Sequence, residues 1–592
     1  MSVLDFLRRY RSYRLVRPWA LSAPILVLLI SVPLLRPLRS PDPRMIGDDE
    51  QSRLATIQAI VESGTLAIEG TSFRDTRDRI VGIPAAGEKF SPHLYSSQLP
   101  MQAALLSGPY WVMHHYGITL DRDPNWVAFW LTLLGVTLPV ALAAGLVYRM
   151  GRQFELRRPL RAALGLIVVL GSGLISYSTV LNAHAPAAAL LLASATCLFH
   201  VIRHNSPGRA TGWLGLAGLC AALAATIDLP ACVFLVLFLP VIFAFRWPAA
   251  SRVAGVAMYV IGASIPIFLH ARLMLPITGD LRPGMLHPEL AMGTEWKPDT
   301  GKHRRKADAG KELTDDAGRR GRGDAGKEQA DDAGAVTQQA LQSVQTDSTS
   351  PRVASVALAA SDSASLPASP PLRVPASDLD SAASSPSLPV SLRPRVPASS
   401  ALSPSPRLRV PASLSPALPG DDEDDDNLTR WQSFTHGAIR VFGAFFGGHG
   451  IFSHFPIVAL GIVGVSLIMH RHWPAATKTL AAATLAGALA VIVCCAAYRP
   501  DAGGAMFATR WFVVFLPLTL FWAGAWLRRS HRQSSWTIAG VLLAFSVAVS
   551  LIGATGPLPR DGFDRYSFAG AWHNLIHPQQ APPLPPVIAQ GN

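Results

Sequence analysis

Apolar positions along this chain gather into runs of about 18 residues or more without a charge, long enough for a helix to cross a bilayer. Read this way, the sequence predicts about eleven spans, at about 18 to 36, 125 to 148, 161 to 180, 185 to 202, 212 to 228, 229 to 246, 253 to 271, 452 to 470, 477 to 497, 510 to 527 and 535 to 555. Two of the polar connections are long, about 37 to 124 and about 272 to 451. The expected fold is an all-α polytopic membrane protein.

Charge adds an orientation. The chain has 592 residues, is 49% hydrophobic and 15% charged, and carries a formal +13, which in a soluble protein would suggest nucleic acid. Here the basic residues fall in alternate connections instead. Arg8, Arg9, Arg11, Arg14 and Arg17 precede the first run; Arg149, Arg152, Arg157, Arg158 and Arg161 follow the second; Arg203 and Arg209 follow the fourth; Arg246 and Arg252 follow the sixth. Arg471 and Lys478, then Arg528, Arg529 and Arg532, continue the series. Cytoplasmic loops have this bias, so the N-terminus is expected inside and the C-terminus outside, in a bacterial inner membrane. No nucleic-acid partner is expected. The first run has a basic flank like a signal peptide, but no small-x-small cleavage site precedes Asp42, so it is read as a retained anchor. All five cysteines lie in predicted spans, at no spacing that suits a metal.

The long connections differ in kind. In the first, Leu54 to Glu62 places apolar residues at helical spacing and Gly64 suits its C-terminal cap, which predicts a short helix along the membrane surface. Tyr95 to Tyr116 reads as a second interfacial helix, with Tyr110 and Trp111 at headgroup depth. In the second, Lys297 to Asn427 repeats Asp-Ala-Gly-Lys-Glu, Asp-Asp-Ala-Gly and Arg-Val-Pro-Ala-Ser and has almost no aromatic residue. Such a stretch cannot bury enough apolar surface to offset its chain entropy, and it is expected to be a disordered insertion. The chain then divides into an N-terminal membrane module (1–290), the insertion (297–427) and C-terminal membrane helices with a short outer tail (430–592).

Candidate chemistry collects at one membrane face. The acidic run Asp48-Asp49-Glu50 follows the first span, with Arg53 just beyond it. The same loop returns through Lys89 and Tyr95 to Pro100. His184 is predicted between spans three and four, Asp228 between five and six, His449, Ser453 and His454 before and at span eight, and Tyr498, Arg499, Asp501 and Arg510 before span ten. An ionisable residue at a span usually faces a cavity or a partner. Arg510 runs against the inside bias of the other basic residues at span ends, and a guanidinium there suits a phosphate in the headgroup region.

This arrangement resembles the GT-C membrane glycosyltransferases, such as protein O-mannosyltransferases and the bacterial transferases that attach aminoarabinose to lipid A. The resemblance covers 1 to about 290 and 430 to the end. Gly47-Asp48-Asp49-Glu50 looks like the family's acidic motif in the first outer loop, Lys89 to Pro100 like its Lys/Tyr-Ser/Pro segment, and Tyr498 to Trp511 like its Gly-Gly/Arg-Tyr segment. Two departures stand out: Glu50 is followed by Gln51-Ser52-Arg53 where the family has a closer Arg-Tyr, and the insertion has no counterpart.

The resemblance implies a sugar donor on a polyprenyl phosphate, a lipid, glycan or protein acceptor, and transfer with inversion at the outer face. Membrane lipids are the surrounding partner. Asp49 is then the expected catalytic base, with Asp48 and Glu50 beside it. Arg510, Lys89 and Arg53 would bind the donor phosphate, and Tyr95, His184, Asp228, His449 and Tyr498 would line the substrate cavity. The clustered carboxylates leave room for a divalent metal, but no second ligand set has a recognisable spacing, so no metal ligand is assigned. No phosphate-loop or dinucleotide fingerprint is present. The main alternative is a transporter or flippase, for which internal repeats and broken spans with charges at mid-membrane are expected; a scaffold binding partners through the insertion is a third. Convergence of Asp49, Asp228 and Arg510 on one cavity separates an enzyme from a scaffold.

Overall fold

The computed structural model describes residues 18–39, 46–82, 93–204, 206–287, 290, 430–498, 506–508, 510–530, 532–557 and 567–576. The insertion predicted at 297–427 lies outside the described residues, as does Lys89. The described residues all belong to the first compact unit of the chain, Met1–Pro298 with Asp422–Asn592.

The first unit is a helical bundle. Helix α1 (Pro18–Ser31) leads to α2 (Asp48–Gln58), strands β1 (Arg79–Val81) and β2 (Leu94–Ser96) and α3 (Pro100–His115). Then come α4 (Pro124–Phe154), α5 (Arg158–Gly171), α6 (His184–His204), α7 (Pro207–Ile227), α8 (Leu229–Phe243) and α9 (Ala249–Thr278). After the insertion follow α10 (Gly437–His454), α11 (Pro456–Met469), α12 (Ala475–Tyr498), α13 (Leu516–Leu527) and α14 (Gln533–Gly553).

Among the described residues six helices are long and apolar enough to cross a membrane, or seven if α10 and α11, bent by 92° at Phe455, count as one span. That is fewer than the eleven expected, and the reason is local. Trp19–Leu34, α8 and α13 are apolar but fall short of 18 residues. The run at 161 to 180 stays apolar throughout, yet its helix stops at Gly171 and Gly173 takes a positive φ of 73°. A buried 3-10 turn, Ser176–Thr179, completes that run. Three of its four hydroxyls are taken up by the C-terminal part of the chain: Ser176 donates to the Ser550 carbonyl (2.7 Å), Tyr177 to Phe507 (2.6 Å) and Thr179 to Ala554 (2.9 Å). Irregular backbone at membrane depth persists only where protein supplies such partners.

Close packing comes from small residues. A methyl on Gly218 would overlap the carbonyl oxygen of Tyr259, and one on Gly262 the carbonyl oxygen of Gly215, so α7 and α9 cross with their backbones touching. Gly461 and Gly464 press α11 onto Thr519 and Trp522 of α13 in the same way. At the centre Phe154, Phe199, Phe521 and Trp522 form an aromatic cluster with ring centroids 5.0 to 6.2 Å apart. The buried Trp522 indole donates to the Thr484 hydroxyl at 3.1 Å, which satisfies its one polar atom.

The first long connection is more ordered than a loop with two surface helices. The acidic run, expected in a loop, forms the first turn of α2, where the helix dipole favours negative charge. Nearly every residue of α2 is buried, so it lies inside the unit rather than along its surface. The helix runs on into a π turn, Ala59–Ser63, and that turn is capped by Gly64 at φ 67°, the capping residue the sequence suggests. Tyr95 belongs to β2, not to a helix; Pro100, with its fixed φ and missing N–H, starts α3 five residues later. β1 and β2 are antiparallel, pairing Arg79 with Ser96, Ile80 with Tyr95 and Val81 with Leu94.

Candidate functional site

The first turn of α2 and the residues flanking the hairpin build one end of the site. Ser52 donates to the Asp78 carbonyl (2.8 Å) and its hydroxyl also meets that of Ser96, which ties α2 to both strands. Gln98 then becomes the junction. Its amide nitrogen donates to Asp49 Oδ1 (3.3 Å) and Asp78 Oδ2 (2.7 Å), and its Oε1 accepts from Arg53 Nη2 (2.9 Å). Arg53, one helical turn beyond Asp49, donates from Nη1 to the Asp49 carbonyl at 2.9 Å. Ser97 donates its hydroxyl to Asp78 Oδ1.

The other end comes from three distant segments. Arg510, in a 3-10 turn before α13, ion-pairs through Nη1 with Asp49 Oδ2, and its guanidinium lies 5.1 Å from the ring of Trp511. Its Nε is buried with no hydrogen-bond partner among the described residues. His184, the first residue of α6, and Asp228, just past α7, are both buried and pair Nδ1 to Oδ2 at 2.7 Å. The His184 ring stands edge-on between Tyr177 and Trp511, at 6.0 and 5.7 Å.

Arg53, His184, Asp228 and Arg510 line one small cavity, and Asp49 abuts it through its bonds with the two arginines. A larger cavity of about 270 Å³ adjoins it, sharing Leu229, Met285 and Trp511, and its remaining lining of aliphatic residues and cysteines exposes no polar surface. A small cavity of about 10 Å³ with charged groups in its wall thus lies beside an apolar one.

Electrostatics separates the two carboxylates flanking Gln98. Burial alone would raise the Asp49 carboxyl, but the charges of Arg510 and Arg53, with His184 behind them, outweigh it and hold Asp49 below the ordinary carboxylate range. Asp78 goes the other way: burial first, and then the charge on Asp49, push it up to about 6 against the hydrogen bonds from Ser97 and Gln98.

The remaining expected site residues are elsewhere. Glu50 is fully buried and bound by Arg36 at 2.9 and 3.3 Å. The half-buried Asp48 carboxylate has no hydrogen-bond partner among the described residues, while its carbonyl accepts from Thr76 at 3.1 Å. Tyr95 lays its ring against Gly82. His449 bonds the Met506 carbonyl at 3.0 Å, and Tyr498 ends α12 with a side chain outside the described residues. Among the described residues no group of three or more His, Cys, Asp or Glu side chains is placed to hold a metal ion. Conversely, Asp78, Gln98, Tyr177 and Trp511 belong to the cluster without having been singled out as site residues by the sequence pattern.

No protein-family profile matches the sequence, and no curated protein matches it. Among solved structures the chain is similar to the apo crystal structure of the Archaeoglobus fulgidus oligosaccharyltransferase, at 9% identity and a TM-score of 0.46 over 92% of this chain. The match spans 57% of that protein's length.

Proposed function

We propose that this chain is an integral membrane glycosyltransferase that moves a sugar from a polyprenyl-phosphate donor to a lipid, glycan or protein acceptor at the outer face, with inversion. The observation that carries the reading is the joining of Asp49, Arg53, His184, Asp228 and Arg510, from four separate parts of the chain, around one small cavity with charged groups in its wall, beside an apolar cavity. A lipid-linked sugar phosphate has the same two-part character.

In this mechanism the acceptor hydroxyl attacks the anomeric carbon as the bond to the phosphate oxygen breaks. Asp49 takes the acceptor's proton, and Arg510 and Arg53 stabilise the charge on the departing lipid phosphate. The resting geometry fits that division of labour. While Arg510 holds it, the Asp49 carboxylate is too stable to be a good base, because a base works best with a pKa near the working pH. A phosphate that draws Arg510 away, using the buried Nε as well, would free Asp49 at the moment the donor is seated. His184, fixed by Asp228, forms part of the cavity wall.

The test is direct: the purified protein is incubated with radiolabelled polyprenyl-phosphate sugars and a membrane extract as acceptor source. Label should move to the acceptor with inverted configuration. An active membrane protein that carries the donor across vesicles without transferring sugar would replace this reading with transport.

A further inference from the structure

A second cavity, of about 310 Å³, lies at the far end of α6 from His184. The helix has 21 residues, so at about 1.5 Å per residue the two sites are roughly 30 Å apart. Arg149, Arg152 and Arg203 line this cavity together with His200, His204 and Trp213. No acidic residue lines it, and among the described residues none of the three guanidiniums has a hydrogen bond or ion pair. The rings lie close but tilted: the His200 ring centroid is 4.4 Å from that of His204, at 39°, and 4.2 Å from that of Trp213, at 31°. Phe199 and Met150, both buried, add apolar lining.

Two ordinary causes explain part of this and stop short of the whole. Carbonyls at a helix C-terminus attract cations, which accounts for Arg203 in the last turn of α6 and for Arg149 near the end of α4. The inside bias of basic residues accounts for charge at this membrane face. Neither cause requires three unpaired guanidiniums to converge on a cavity, and mutual repulsion opposes it. Basic pockets between membrane helices bind lipid headgroups, and an indole at the helix ends sits at headgroup depth.

We propose that this cavity is a binding site for the phosphate of an anionic lipid headgroup, with Arg149, Arg152 and Arg203 taking the phosphate oxygens and the Trp213 face holding the lipid's interfacial part. The site is independent of the transfer reaction.

The full-length protein in detergent would be titrated with phosphatidylglycerol, phosphatidylcholine and inorganic phosphate in parallel, and bound molecules counted by native mass spectrometry. Wild-type protein should hold phosphatidylglycerol in preference to phosphatidylcholine. Affinity should fall roughly fivefold for each of Arg149→Gln, Arg152→Gln and Arg203→Gln, and about a hundredfold for the three together. The single variants and the charge-keeping Arg152→Lys serve as controls should the triple variant fail to fold. Inorganic phosphate binding tightly while the lipid does not would assign the site to a free anion and overturn the proposal. So would lipid binding that is unchanged in all the arginine variants.

Discussion

Asp49 and Asp78 share the amide of Gln98, and their surroundings drive their protonation in opposite directions. For Asp49, held as a carboxylate by two arginines, the proposed role as base predicts that Asp49→Asn lowers turnover by about a hundredfold to ten-thousandfold while donor binding survives. Arg510→Ala should instead weaken donor binding, since it removes a charge-assisted phosphate contact. Transfer rates and donor affinity, measured separately, check both, and near-normal transfer by Asp49→Asn and by Asp48→Asn would remove the acidic run from the active site. Asp78 makes a prediction about pH. Its folded pKa of about 6 exceeds the unfolded value of about 3.9, so its contribution to stability is fully present below pH ~3.9 and is lost as pH rises through about 6. Asp78→Asn, which cannot ionise, should therefore melt above wild type at pH 7.5, and the gap should close as the pH is lowered through 6 toward 4. A gap that stays constant across that range would mean that Asp78 is not the titrating group. Asp49, Arg53, His184, Asp228 and Arg510 were legible in the sequence because charge is conspicuous among apolar runs. Asp78 and Gln98 were not, because each is an ordinary polar residue in a polar loop until the hairpin sets them side by side.

Elements tell a similar story of length against context. Long apolar helices such as α6, α9, α12 and α14 could be read directly from composition, and so could the capping role of Gly64. Strands of three residues cannot, since an alternating pattern that short is indistinguishable from chance. Nor does composition reveal where an apolar run breaks from helix into a hydrogen-bonded turn, as at Gly171 to Thr179. Where helices touch backbone to backbone, side-chain size decides stability. Gly218→Leu in α7 and Gly464→Leu in α11 each force a side chain into a facing carbonyl, and a loss of about 1–3 kcal/mol or more is expected from such overpacking. Gly208→Leu, at a position with open space around it, is the matched control. Thermal unfolding in detergent should rank the first two well below the third.

On the scale of the whole chain, the alternation of basic loops predicts that reporters fused at about 155 and 530 respond as cytoplasmic, and those at about 80 and 350 as external. An external signal at 530 would break the orientation. Removing residues about 300 to 426 should leave expression and the melting temperature of the rest largely unchanged, because the flanking parts already constitute one unit. That unit has another property. Its two covalent pieces are locked by the hydroxyls of Ser176, Tyr177 and Thr179, by Arg39 reaching the Ala554 carbonyl (2.9 Å), and by Asp49 on Arg510. Each bond joins a residue before the insertion to one after it. The peptide linkage through the insertion is then dispensable for assembly, and the protein should behave as two complementing fragments: 1–298 and 422–592, produced from separate genes, should meet in the membrane and co-purify with the divided site restored.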